Sequence, residues 1–469
     1  MKLALWLAAA SLASAQTPCD KLAGVRVEHA AITAAEVLPS HCRVALVLTP
    51  TPDSHIEMEV WMPSNWNGKF QAVGNGGWAG SISRDAMAAA LNEGYATAST
   101  DTGHKSAETP GASFVPGHPE KLIDYGYRAV HEMTVAAKQL IGAHYGRAAK
   151  LSYWNSCSNG GRQGLMEAQR YPADFDGIVA GAPAANWTGR AIGALWVGQL
   201  VHKDEASYIP PAKYALLHEA ALRACDALDG VTDGVIENPR QCKFDPGTLL
   251  CQGADSAACL TAPQVEAARG IYAARNFYPG LAPGSELGWA TYGGPRPFAI
   301  GNDYARFVLY HDASWDPRTL NAPAAAKEAV RIDQGTTNAL NPDLRPFFAR
   351  GGKLIQYHGW SDPQIPPLHS VNYYESVLEK SGSVSESYRL FMVPGMGHCG
   401  GGTGPNQFQA MAALERWRES GTAPDSIVAA RVVNNKVERT RPLCPYPQTA
   451  HYTGTGTTND AANFVCKSP

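Results

Sequence analysis

Over residues 56–62 the chain alternates: Ile56, Met58, Val60 and Met62 are apolar and their neighbours more polar, the period of a half-buried strand. Residues 43–48, 69–73 and 95–100 also predict strands. Between 127 and 145 the spacing becomes helical. Val130, Met133, Ala137, Leu140 and Ile141 share one face, and His131, Glu132 and Lys138 fall elsewhere. Residues 151–154 are a brief apolar and aromatic run that predicts a buried strand. Residues 162–170 hold good helix formers and stop at Tyr171-Pro172, as helices do before a proline. Residues 177–182 predict the next strand. Strand, helix, strand, helix, strand is the rhythm of a mainly parallel sheet covered on both faces, which places the chain in the α/β class.

After Pro183 the rhythm breaks. Residues 184–340 are somewhat richer in Trp, Tyr and Cys and show no strand–helix alternation. They predict a large inserted lid over the carboxyl ends of the strands, between core segments 16–183 and 341–469. Strand patterns return at 353–358 (KLIQYH) and 388–393 (YRLFMV). The tail after Arg441 shows no period and is expected to be irregular, held by Cys444 and Cys466. No internal repeat is present.

Composition narrows the compartment and the partners. Of 469 residues 45% are hydrophobic and 17% charged, with net charge −3 and no basic block; this argues against nucleic acid and against an anionic membrane surface as partner. The first fifteen residues, MKLALWLAAASLASA, read as a secretory signal cleaved after Ala15, and no later stretch is apolar enough to span a bilayer. A secreted or periplasmic protein follows. Ten cysteines suit that oxidising compartment. Neighbours in sequence suggest Cys19 with Cys42, Cys225 with Cys242, Cys251 with Cys259 and Cys444 with Cys466, which leaves Cys157 for Cys399. No C-x-x-C pair points to a zinc ribbon.

The candidate chemistry centres on Ser156-Cys157-Ser158-Asn159-Gly160-Gly161, small residues where a strand must turn sharply into a helix. That is the layout of a nucleophile elbow, G-x-S-x-G, with Ser156 in place of the first glycine. It exposes the Ser158 hydroxyl above the sheet and aims the Asn159 N–H where an oxyanion would form. Gly74-Asn75-Gly76-Gly77-Trp78, after an early strand, sits where a second oxyanion N–H is supplied. A serine needs a base, and the base an orienting carboxylate. The two late strands run into Asp362 and His398, and the order Ser158, Asp362, His398 is that of α/β-hydrolases. Asp101, also after a strand, is the runner-up acid; His358 and His369 are weaker candidates for the base. If the three residues meet, Cys157 and Cys399 lie side by side, and a disulfide there ties nucleophile to base.

These residues together resemble the tannase and feruloyl esterase family, through CSNGGRQ, YHGWSDPQIPP and GMGHCGGG. The resemblance spans nearly the whole chain past the leader. It implies an α/β-hydrolase fold with a lid domain, a Ser158–His398–Asp362 triad, and an oxyanion hole from Asn159 and the Gly76–Gly77 region. The implied substrates are small aromatic acid esters, hydroxycinnamates first and then galloyl or terephthalate monoesters, some attached to plant polysaccharide or polyphenol. A serine carboxypeptidase shares the triad order, but no residues mark a site for a C-terminal carboxylate. In the lid, Asp226, Asp229 and Asp233 stand within eight residues and repel one another unless solvated or bridged by a cation; oxygen ligands suit calcium, although the spacing is not that of an EF-hand. The resemblance implies a structural Ca2+ held by these three side chains and the carbonyls of Val231 and Val235. Trp187, Trp196, Trp289, Tyr292, Phe307 and Trp315 are aromatic lid residues able to stack on a ring or to fill a core. The sequon Asn186-Trp187-Thr188 is taken as chance.

Overall fold

The computed structural model describes residues 16–468; the expected leader, residues 1–15, lies outside them. Among the described residues nine strands form one sheet: β1 (Ala30–Val37), β2 (His41–Leu48), β3 (Ile56–Pro63), β4 (Phe70–Ala72), β5 (Ala96–Thr100), β6 (Ser152–Cys157), β7 (Gly177–Gly181), β8 (Lys353–Gly359) and β9 (Tyr388–Val393). Their order is β1-β2-β3-β5-β4-β6-β7-β8-β9. The first three pair antiparallel and β3 meets β5 antiparallel. From β5 to β9 every pairing is parallel. This is the α/β-hydrolase fold, and all its parallel strands end at one edge.

The parallel strands are buried on both sides, so neighbouring residues serve opposite cores. Trp154, Ile178, Leu354 and Leu390 pack on one face with Met133, Ala137, Leu140, Ile141 and Leu165. Tyr153, Val179, Ile355 and Phe391 pack on the other with Leu414 and Trp417. Burying each such side chain contributes about 1.5–3 kcal/mol.

Two boundaries differ from expectation at the elbow. Strand β6 runs on to Cys157, and the following helix begins at Asn159 rather than 162, taking Gly160 and Gly161 into its first turn. A Cβ on Gly160 would lie 1.9 Å from Ser156 Oγ, and one on Gly161 2.3 Å from Gly181 O, so both positions need glycine because the helix packs this close to the strands. The tail is also more regular than expected. After Arg441, β12 (Thr449–Tyr452) pairs with β13 (Phe464–Lys467) beside the Cys444–Cys466 bridge; ahead of it, β10 (Ile427–Val433) and β11 (Lys436–Leu443) form a hairpin that the sequence did not suggest. These short ribbons are half exposed and charged, so they carry little apolar period to detect.

Residues 184–340 leave after β7 and return before β8. They form helices, chiefly Trp187–Val201, Pro211–Cys225, Ala262–Tyr272 and Ala322–Asp333, around apolar clusters of their own. One cluster also takes in Trp78 and Phe114 from loops and Tyr125 from a π-helical turn of the first core segment, and Ile365 from the second, so the cover over the strand ends is built from three stretches of chain. Trp187, Trp289 and Tyr292 are fully buried and act as core. Trp196 packs against Phe277 and Tyr278, while Phe307 and Trp315 are partly buried. The sequon asparagine caps a helix: Asn186 Oδ1 accepts the Gly189 N–H at 3.0 Å. Among the described residues no helix is long and apolar enough to cross a membrane.

Candidate active site

Ser158 sits between β6 and its helix with φ 66° and ψ −125°, a left-handed conformation that costs a non-glycine residue about 1–3 kcal/mol. Neighbouring backbone holds it there. The Ser158 N–H donates to Gly181 O at 2.9 Å, and Ser158 O accepts from Arg162 and Ala184, each at 3.1 Å. β8 and β9 end in the same region and bring two further side chains to it. His398 Nε2 lies 2.9 Å from Ser158 Oγ, and His398 Nδ1 lies 2.7 Å from Asp362 Oδ2. Asp362 is wholly buried. Burial alone would raise its carboxyl, but hydrogen bonds from His358 and His398 outweigh that and hold it well below the usual carboxylate range. Its Oδ1 accepts the N–H groups of Gln364 and Ile365 at 2.8 and 3.0 Å.

Asn159 is the first residue of its helix, where the N–H has no intrahelical acceptor. The glycine loop packs against this helix. A Cβ on Gly74 would stand 2.9 Å from Gly160 Cα, Asn75 N–H donates to Gln163 Oε1, and Gln163 Nε2 donates back to Asn75 Oδ1, both at 3.1 Å. Gly77 takes a left-handed φ of 52°. The buried Tyr125 hydroxyl lies 3.0 Å from Gly77 O and 3.2 Å from Asn159 Oδ1, so one side chain bridges the two segments expected to hold an oxyanion. Arg162, fully buried, donates to Asn159 Oδ1 at 2.7 Å and to the carbonyls of Gly126 and Thr337. Tyr125, Arg162 and Gln163 were not singled out in the sequence. The signal for Arg162 and Gln163 is that they are polar and follow Ser158 closely at the start of its helix, where a side chain meets the packed loops.

The runner-up residues fall elsewhere. Asp101 Oδ1 accepts N–H from Glu57 and Gly103 and makes no contact with His398; its Oδ2 is buried without a hydrogen-bond partner. Burial pushes this carboxyl up to about 7, against those backbone N–H groups. A raised carboxyl pKa favours folding below the unfolded value near 4 and loses that contribution as pH rises to about 7. Asp101→Asn keeps the accepting oxygen and removes the charge. Its Tm relative to wild type should therefore rise between pH 5 and pH 8, and thermal denaturation at both values would show it; an unchanged difference would count against the buried charge. His369 lies in the helix Leu368–Ser381, pushed down to about 3 by burial and by the neighbouring His358 and Arg190. His358 is inside β8 and touches Asp362 rather than Ser158.

The ten cysteines form Cys19–Cys42, Cys157–Cys399, Cys225–Cys242, Cys251–Cys259 and Cys444–Cys466. The second joins the residue before Ser158 to the residue after His398.

In the acidic lid loop, Asp226 accepts the N–H groups of Asp233 and Gly234, and Asp229 accepts that of Val231. Asp233 pairs with Arg441 and, at 3.2 Å, with Arg439. Asp226, Asp229 and Asp233 do not bring three carboxylate oxygens within 4.8 Å of one another. A cavity of about 10 Å³ lies beside the loop, lined among others by Asp229, Asp233, Val235, Glu237 and Pro394, room for one water-sized particle. Burial, with Asp233 and Asp226 nearby, raises Asp229 to about 6, and burial raises Glu237 to about 8. Buried oxygen donors such as those of Asp229 and Glu237 are the kind a hard divalent cation takes, although Asp226, whose two oxygens accept backbone N–H groups, does not line this cavity.

Residues 42–298 and 299–467 match the family described as tannase and feruloyl esterase. An uncharacterised esterase of Xanthomonas campestris is 38% identical, over 92% of this chain and 85% of its own. A probable feruloyl esterase B-1 of Aspergillus oryzae is 35% identical, over 91% and 83% respectively. The crystal structure of feruloyl esterase B from Aspergillus oryzae superimposes with a TM-score of 0.89 at 32% identity, covering 96% of this chain and 99% of that one. With the fold, the matched length and the relatives in agreement, the chain belongs to the tannase and feruloyl esterase family and is a carboxylic ester hydrolase.

Proposed function

We propose that this protein is an exported serine esterase that cleaves small aromatic acid esters, feruloyl and other hydroxycinnamoyl esters first, through an acyl-enzyme. The observation that carries the reading is the continuous hydrogen-bond chain Asp362–His398–Ser158 at the ends of three parallel strands. Ser158 Oγ attacks the acyl carbon while His398 Nε2 takes its proton. Negative charge develops on the former carbonyl oxygen, within reach of the Asn159 N–H and the Gly76–Gly77 backbone. His398 then protonates the departing alkoxide, leaving the acyl group on Ser158. Water, deprotonated by His398, releases the acid. Asp362 keeps the imidazole oriented and stabilises the imidazolium.

The test is acid release from methyl ferulate, methyl gallate, mono(2-hydroxyethyl) terephthalate and a blocked dipeptide. Turnover of methyl ferulate above the others is the expected result. Preference for the gallate or terephthalate ester would reassign the acyl group within the family, and cleavage of the dipeptide alone would sink the reading.

For the lid, the proposal is a structural Ca2+ held by Asp226, Asp229 and Asp233 with the carbonyls of Val231 and Val235. It would neutralise the crowded carboxylates and take no part in acyl transfer. Saturating calcium should stabilise the chelator-treated protein by about 3 kcal/mol, read as a Tm rise reversed by EGTA. A Tm indifferent to both, with no calcium found by elemental analysis, would remove the ion.

A further inference from the structure

Asp362 Oδ2 accepts from two histidines. Besides His398 Nδ1 at 2.7 Å it has His358 Nε2 at 3.1 Å. The same Nε2 lies 3.1 Å from the Ile365 carbonyl. Both neighbours only accept, so the hydrogen sits on Nε2. In the neutral ring His358 Nδ1, 2.7 Å from Ser370 Oγ, accepts the serine hydroxyl. Every polar atom of this wholly buried ring is thereby satisfied. β8 sets the arrangement: His358 is its second-last residue, Asp362 lies three residues past its end, and Ser370 comes from the first turn of the next helix.

We propose that His358 is a positioning residue for the hydrolytic reaction, a fixed N–H donor that aims Asp362 Oδ2 at His398 and shares its negative charge. The proposal rests on the Ser158–His398–Asp362 reading. Its reasoning is electrostatic. A carboxylate that already accepts a buried N–H attracts a neighbouring imidazolium less than one that does not. Losing the His358 donor leaves more charge facing His398, so His398 holds its proton to higher pH and the base form is depleted. Asp362 also gains freedom to turn away from His398. The other charged or titratable groups here are His369, one residue before Ser370, Arg190 on the lid helix Trp187–Val201, and Tyr292, the last two donating to the Gln364 carbonyl. His369, pushed down to about 3, does not change charge in the range where the effect is read.

The test compares pH profiles of kcat/KM on methyl ferulate for wild type, His358→Leu and His358→Gln, with Ser158→Ala as control. Leucine fills the space without a donor; glutamine extends an amide N–H to about the reach of Nε2. In His358→Leu the acid limb should move up by about half a pH unit to one unit and kcat should fall about tenfold with KM little changed, and His358→Gln should restore the limb. A folded His358→Leu with wild-type limb and kcat, or a glutamine variant no better than leucine, would overturn the role. Should His358→Leu fail to fold, nitrogen-15 chemical shifts of the wild-type histidines decide. A buried ring protonated on Nε2, its signal missing in His358→Gln, is expected, and protonation on Nδ1 would overturn it. An active Ser158→Ala would instead bring down the triad reading, a different failure with its own signature.

Discussion

Ser158→Ala should lower kcat/KM on methyl ferulate by about four to six orders of magnitude while leaving the fold intact. Ser158 Oγ has His398 Nε2 as its hydrogen-bond partner, so the substitution removes the attacking oxygen and little else. The strained backbone at φ 66° is held by main-chain bonds to Gly181, Arg162 and Ala184, all of which alanine keeps, and alanine bears the same steric cost as serine there. Its Tm should stay within about 2 °C of wild type. Residual turnover would come from the remaining donors at the oxyanion position, since acting without a nucleophile still leaves binding and charge stabilisation. A fluorophosphonate should label wild type at Ser158 and leave the variant unmarked. Full activity in the variant, or labelling at another serine, would defeat the nucleophile assignment.

Breaking Cys157–Cys399 should cost about a hundredfold in kcat and about 2–5 kcal/mol in stability, the first loss showing under conditions too mild to unfold the chain. The bridge spans 242 residues, so opening it releases much loop-closure entropy to the unfolded state. Its local effect is larger for function. It ties the residue before Ser158 to the residue after His398, and in the proposed mechanism displacing either by about 1 Å is enough to spoil proton transfer. Cys399 is exposed, whereas Cys19, Cys42, Cys225 and Cys444 are buried, so a reductant should reach this bridge early. Activity, circular dichroism and thiol mapping along a titration with reductant would follow the sequence of events. A reduced protein with unchanged dichroism and full activity would show that the bridge does not hold the Ser–His distance.

The sheet was legible because its strands are either alternating, as at 56–62, or continuous apolar runs such as KLIQYH and YRLFMV. β1 was missed because AAITAAEV is short of large side chains and pairs on one side only. The hairpin of β10 and β11 was missed because Arg431, Lys436, Glu438 and Arg439 interrupt its apolar positions and a bulge between Arg431 and Val432 breaks the period. Ser158, Asp362 and His398 could be found because each follows a recognisable strand, and strand ends share one edge of the sheet. The surrounding support was not legible. Nothing about Tyr125, in a π-helical turn between a short helix and the long one, announces that its hydroxyl bridges Gly77 and Asn159. His358 looked like an inward strand residue, and so it is; its meaning depends on the chain doubling back after β8. Local sequence reports which element a residue belongs to, and contacts made across elements have no local signature.

The insert leaves just past β7 and its two ends meet, the Ala339 N–H donating to the Ala185 carbonyl at 2.9 Å and the Thr188 N–H to Asn338 Oδ1 at 3.1 Å. Its two stems are therefore neighbours, and the length between them can vary at little entropic expense, about 0.6 kcal/mol per doubling, without disturbing strand register. That makes the insert an exchangeable cassette, which can change while Ser158, Asp362 and His398 stay where the sheet puts them. Among the ties between insert and core, one bears directly on Asp362. Arg190 and Tyr292 of the insert both donate to the carbonyl of Gln364, two residues beyond Asp362, so a transplanted lid must bring its own clasp for that loop or slow the chemistry it was meant to redirect.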